Sequence, residues 1–127
     1  MPSPNSKRFE SSEHLLLGKE NEKLARILIG LDSCYKDWVV TIVFYSALHY
    51  VYSKLKGADI PHTHIEAEPK ILQDCGKEVF KLYSSLNDKS RNARYYPIIA
   101  REYRQNPIMA EVSLKMLDKL KIELGIT

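Results

Sequence analysis

From Trp38 to Ser53 the chain carries no formal charge, no glycine and no proline. Bounded by Asp37 and Lys54, such a run predicts a single uninterrupted helix. At 100° per residue Trp38, Ile42, Tyr45, His49 and Tyr52 share one face, while Val40, Phe44, Ala47 and Val51 lie opposite. A helix apolar on both sides has to be covered on both sides. One face is plain hydrocarbon; the other carries hydroxyls, an indole N–H and an imidazole, which need hydrogen-bond partners wherever they are buried. A neighbouring helix, a second copy of the chain or a ligand would supply them.

The chain's 127 residues suit one domain, over 11–127, behind a flexible N-terminal arm over 1–10 that carries Pro2, Pro4, Lys7 and Arg8. A content of 44% hydrophobic and 28% charged residues is that of a globular chain and argues against extended disorder. The net charge of +3 is too small to imply a nucleic-acid partner by itself. Cys34 and Cys75 form no zinc pattern and follow no secretory segment, so two free thiols in a reducing compartment are expected. The uncharged run is shorter than the ~20 residues that cross a bilayer, and a soluble, cytoplasmic protein is expected.

In chain order, Ser11 or Ser12 caps a first helix whose apolar stripe is Leu17, Leu24, Leu28 and Leu31. A short step after Asp32-Ser33 predicts an antiparallel hairpin with the second helix. Gly57 closes that helix, and Ala58 to Pro69 reads as a loop. A third helix is predicted from Pro69 to Tyr95 with the stripe Leu72, Cys75, Val79, Leu82 and Leu86, continued by Ser90 and Ala93. Gly76 inside it points to a close helix contact. Ile98 to Gln105 is an irregular or short helical link. Asn106-Pro107 then starts a fourth helix with Met109, Val112, Met116, Leu117, Leu120 and Leu124 on its buried side, ending near Gly125. With no alternating strand pattern, the expectation is an all-α, up-and-down four-helix bundle, with room for a short extra helix between helices three and four.

Positive charge gathers at the end of helix three. From Lys77 to Arg104 seven cations face three carboxylates, a net of +4 in a chain whose total is +3. Asn87, Arg91 and Arg94 share a side of the helix, with Tyr95 beside them. Cations at a helix C-terminus complement the macrodipole; joined to Tyr95-Tyr96 they also make an anion or nucleotide surface, since guanidinium forks fit phosphate and aromatic faces stack on bases. His62, His64 and Glu66 stand at alternating positions in the loop, but a zinc site needs further ligands, so neither metal nor cofactor is expected.

The stretch Asp37-Trp38-Val39-Val40 with Phe44-Tyr45-Ser46-Ala47-Leu48-His49, a loop histidine (His62 or His64), Tyr83-Ser84-Ser85-Leu86, and Ser90-Arg91-Asn92-Ala93-Arg94-Tyr95 resembles the HEPN superfamily over roughly Leu16 to Tyr95. The resemblance implies a helical bundle, frequent homodimers, and roles in RNA cleavage, nucleotide binding, toxin–antitoxin or defence systems, with a nucleotidyltransferase-type protein as a further partner. Active members of that family place a histidine some residues after an Arg-Asn pair. Here Arg91-Asn92 matches the first half, but Tyr96 stands where histidine is expected and no histidine follows. A phenol titrating near 10 is a poor proton shuttle at neutral pH, whereas imidazole titrates in range.

The expected function is therefore a noncatalytic, homodimeric HEPN-like domain that binds RNA or nucleotide. Its expected ligand-binding residues are Tyr45, His49, His62, His64, Asn87, Arg91, Asn92, Arg94 and Tyr95. The alternatives are a metal-independent RNA endonuclease using Arg91 with His64 or His49, and an interaction module, antitoxin or adaptor, whose Trp38/Tyr45/His49/Tyr52 face is an interface.

Overall fold

The charge-free run is a helix, and it is the one that four of the other five described helices pack on. The computed structural model describes residues 11–31, 35–56 and 64–127. Within them the chain is all-helical: α1 (Ser11–Ile29), α2 (Lys36–Tyr52), α3 (His64–Cys75), α4 (Lys77–Tyr95), α5 (Pro97–Gln105) and α6 (Ile108–Leu124). α2 packs on α1, α4, α5 and α6, while α3 packs on α4. Val40, Phe44, Ala47 and Val51 are fully buried, as are Val39, Val43 and Tyr50. The aromatic face of α2 divides: Tyr52 is buried, His49 and Ile42 are partly covered, and Trp38 and Tyr45 are exposed at the Lys36 end and the middle of the helix.

The predicted third helix is two helices. Gly76 has φ 94° and ψ 171°, a backbone conformation that L side chains rarely adopt and that no α-helix contains, so the chain bends between α3 and α4. A Cβ at Gly76 would meet nothing within 4 Å, so the close contact expected there is absent. It occurs instead at Gly18 of α1, where a Cβ would lie 2.7 Å from the Tyr50 ring. The helix also begins before Pro69: His64 to Glu68 are already helical, and Pro69 sits inside α3, where it forgoes one backbone hydrogen bond. The predicted loop is correspondingly shorter, and Leu72 is exposed on α3.

α1 packs through a different face from the one its leucines suggest. Gly18, Glu22 and Ala25 are buried, whereas Leu17, Leu24 and Leu31 are exposed. The reason lies across the interface. Tyr50 needs a small residue opposite its ring, and its hydroxyl donates to Glu22 Oε1 at 2.6 Å; Ser46 Oγ donates to the Gly18 carbonyl at 2.7 Å. A seam of small and polar residues therefore meets α2, and the leucines turn outward.

The link between the third and fourth predicted helices is the helix α5, with Pro97 in its first turn. α6 starts as predicted: Asn106 Oδ1 accepts the Ile108 N–H at 3.0 Å. It ends at Gly125, whose φ of 70° lets the chain leave in the left-handed region. Ala110, Ser113, Leu114, Leu117 and Leu120 are its buried residues, with Val112 exposed. Among the described residues no helix is long and apolar enough to cross a membrane. The arm before Ser11 and Cys34 lie outside the described residues, and Cys75 is a free thiol whose pKa burial pushes up.

Candidate functional site

The exposed aromatic end of α2 faces the C-terminal end of α4 and the helix α5 across a cleft of about 310 Å³. Asp37, Trp38 and Thr41 line it from α2, Ala93 and Arg94 from α4, Ala100 and Arg104 from α5. The two arginines are held differently, and the difference decides what the cleft can bind.

Arg104 is neutralised. Its Nε and Nη2 donate to the two carboxylate oxygens of Asp37 at 3.2 and 3.0 Å, a bidentate fork. Asp37 is only 4% exposed, and its hydrogen bonds to Arg104 raise the guanidinium pKa further. The guanidinium carbon also lies 4.4 Å from the Tyr35 ring centre. This pair ties the start of α2 to the end of α5 and fixes one wall of the cleft.

Arg94 is not neutralised. Its Nε donates to the Ser90 carbonyl at 3.3 Å, and Nη1 donates to the hydroxyls of Tyr45 and Tyr95 at 3.3 and 3.4 Å. Its guanidinium carbon stands 4.9 Å from the Tyr95 ring centre and 5.8 Å from that of Tyr45. Among the described residues it forms no ion pair with a carboxylate. Neutral phenols orient the group without cancelling its charge. Arg94 is thus a cation beside the rings of Tyr45 and Tyr95, and exposed Trp38 lines the same cleft as its guanidinium.

Tyr45, Arg94 and Tyr95 therefore meet, while the other residues named for the site scatter. Arg91 is exposed and lines a separate depression with Asp88, Asn92 and Tyr96, so the two arginines of the predicted pair serve different surfaces. Asn87 is buried, and its Oδ1 finds no partner among the described residues, nor does the Oγ of fully buried Ser90 one turn on. His62 and the side chain of His64 lie outside what the structure describes.

His49 turns towards α1. Its Nδ1 lies 2.9 Å from Nδ1 of His14. The 5.2 Å between ring centres is that distance plus two ring radii, so the imidazoles meet end to end through one N–H···N bond rather than face to face. Tyr52 closes edge-on against His14, with ring centres 5.8 Å apart. Burial holds both imidazoles below their usual pKa; at His49 the neighbouring His14 adds to it, while at His14 the Glu13 charge works the other way. The pair lies one turn beyond Tyr45 on α2, about 6 Å along the axis.

His14, Asp37 and Arg104 stand outside the set of residues that the sequence marks for the site. Nothing in their local pattern distinguishes them. His14 stands in a polar first turn, Asp37 reads as a helix boundary, and Arg104 reads as one more cation of a basic segment. Only the packing of α1 and α5 on α2 brings them together. No family model matches the chain, and no curated protein or solved structure matches it either.

Proposed function

We propose that this chain is a noncatalytic, HEPN-like four-helix bundle that works as a cytoplasmic homodimer and binds RNA or a nucleotide at the Arg94 cleft. The observation that carries the reading is the Arg94 guanidinium, oriented by two neutral phenols and left with its full charge beside exposed Trp38 and Tyr95. A phosphate supplies the missing negative charge in a geometry the guanidinium fork matches, and a base supplies a flat partner for the rings. At about 310 Å³ the cleft is at the small end of the range for ligand sites, which suits one nucleotide unit rather than a large cofactor.

Support for the homodimer comes from the outer face of α1. Leu17, Glu20, Leu24 and Ile27, continued by Leu31, recur at alternating three and four spacing, and all four aliphatic side chains are exposed. A heptad seam of this kind fits a second helix with the same seam.

The test is fluorescence anisotropy of a labelled single-stranded RNA across a salt series, with AMP as competitor. Binding is expected to weaken linearly in log–log form with salt and to fall at least about tenfold in Arg94→Gln. No binding at low salt, or equal binding by the variant, would overturn the proposal.

A second reading, a metal-independent RNA endonuclease, is favoured by the His14–His49 pair. Two imidazoles held neutral one turn from Tyr45, which bonds Arg94, include a proton acceptor available at neutral pH. Cleavage of RNA in EDTA, abolished by His49→Ala, would establish it over the noncatalytic reading.

A further inference from the structure

Three charged side chains line the Arg94 cleft among the described residues: Asp37, Arg94 and Arg104. Asp37 and Arg104 cancel through their bidentate fork, so one positive charge is left, on Arg94. The chain's terminal residue, Thr127, lines a different cavity, between α1 and α6, and adds no carboxylate here.

The donors of the cleft follow the same count. Arg94 Nε is spent on the Ser90 carbonyl and Nη1 on the hydroxyls of Tyr45 and Tyr95, which leaves Nη2 as the nitrogen with N–H groups to place. Each phenol oxygen accepts from Nη1 and keeps its own O–H as a donor. One charged donor thus stands beside two neutral ones, and the neutral ones can bond an anion without adding charge.

Resting on the reading of this cleft as an RNA or nucleotide site, we infer that it selects a monoanionic phosphodiester joined to a base and discriminates against free terminal phosphates. A phosphodiester carries one charge over two non-bridging oxygens, one for Nη2 and one for the phenol hydroxyls. A terminal phosphate carries about −1.5 to −2 at neutral pH. Its excess charge would leave water without a cation to meet it, because the second guanidinium is already held by the buried Asp37 carboxylate. Two ligands share the favoured chemistry: an internal linkage of a single strand and a cyclic mononucleotide.

Competition against the labelled single-stranded RNA, read by anisotropy on the full chain at fixed ionic strength, tests the selectivity. The competitors are the dinucleoside monophosphate ApA and 3′,5′-cyclic AMP, each with a phosphodiester and no terminal phosphate, against AMP and ATP. The better of the first two is expected to compete at least about tenfold more strongly than AMP or ATP, and its advantage should vanish in Arg94→Gln. A lead for ApA assigns the site to strand linkages, and a lead for cyclic AMP assigns it to a free cyclic nucleotide. AMP or ATP competing as well as either phosphodiester overturns the selectivity, while direct RNA binding that depends on Arg94 leaves the site itself standing. An advantage that survives Arg94→Gln overturns it too, as does failure of all four to displace the RNA. Absence of RNA binding overturns the underlying reading and this inference with it.

Discussion

Arg94 of α4 donates a hydrogen bond to the hydroxyl of Tyr45 on α2, a residue 49 positions earlier in the chain. The contact joins the basic end of one helix to the uncharged face of another. Its acceptor is neutral, so the contact sets the direction of the guanidinium and leaves its charge available.

Separating orientation from charge makes the first prediction. Tyr45→Phe removes the acceptor and keeps the ring, so RNA or nucleotide affinity is expected to fall by a few-fold, less than in Arg94→Gln. The bond lies at the surface, where its loss costs little stability, so melting temperatures of both variants should stay close to wild type. A large drop in melting temperature for Tyr45→Phe would show that the bond is structural.

Gly18→Ala should be disruptive despite the helix propensity of alanine. The new Cβ would lie 2.7 Å from the ring of fully buried Tyr50, whose hydroxyl is fixed on Glu22. Overpacking of this kind costs about 1–3 kcal/mol, readable as a lower urea midpoint with an unchanged m-value. A variant as stable as wild type would mean that α1 does not sit this close to α2.

The Asp37–Arg104 fork should behave as a coupled pair. Arg104→Gln leaves the Asp37 carboxylate buried without its cation and is expected to lower the melting temperature. Asp37→Asn in the same chain should recover part of that loss. Additive effects in the four-member cycle would remove the pair from the account of how α5 is held.

Stability should depend on pH through the imidazole pair. Both His14 and His49 titrate below the ordinary imidazole value of 6.5 in the folded chain, because burial disfavours their charged forms. As pH falls, the unfolded chain therefore takes up protons first. The stabilisation is complete above the unfolded value and is lost as pH drops through 6.5 towards the folded values. The Glu13 charge opposes the shift at His14, and Tyr52 lies neutral at its edge. Denaturation midpoints measured from pH 8 to pH 5 should decline, and His14→Gln/His49→Gln should flatten the decline. An identical slope in the double variant would locate the dependence elsewhere.

Leu24→Glu, in the middle of the exposed α1 seam, is expected to convert a dimer into a monomer in sedimentation or light scattering. It should do so with little change in melting temperature extrapolated to low concentration, because Leu24 packs little within one chain. A wild-type chain that is monomeric at high concentration would dismiss the seam as a self-association surface.

Helix type was readable wherever one local pattern dominated. The uncharged run announced α2, and Asn106-Pro107 announced the start of α6. Gly76 reads as helical in the sequence yet breaks the helix, because its cost in a helix and its freedom at positive φ are both local properties and nothing local says which applies. The α1 stripe differs from its sequence pattern for another reason. Leucines at heptad spacing mark an apolar face, but the face of α1 that meets α2 is the one carrying Gly18, Glu22 and Ala25.

The residues on their own determined that the chain is all-helical and that α2 is its most apolar helix, because periodicity and side-chain type are local. Tertiary packing alone decided that Arg104 is spent on Asp37 while Arg94 is not, that Arg91 faces elsewhere, and that His49 finds His14. Whether a charge is matched depends on what stands within a few ångströms of it, and for Arg94, Arg104 and His49 the answer comes from helices 35 to 67 residues away.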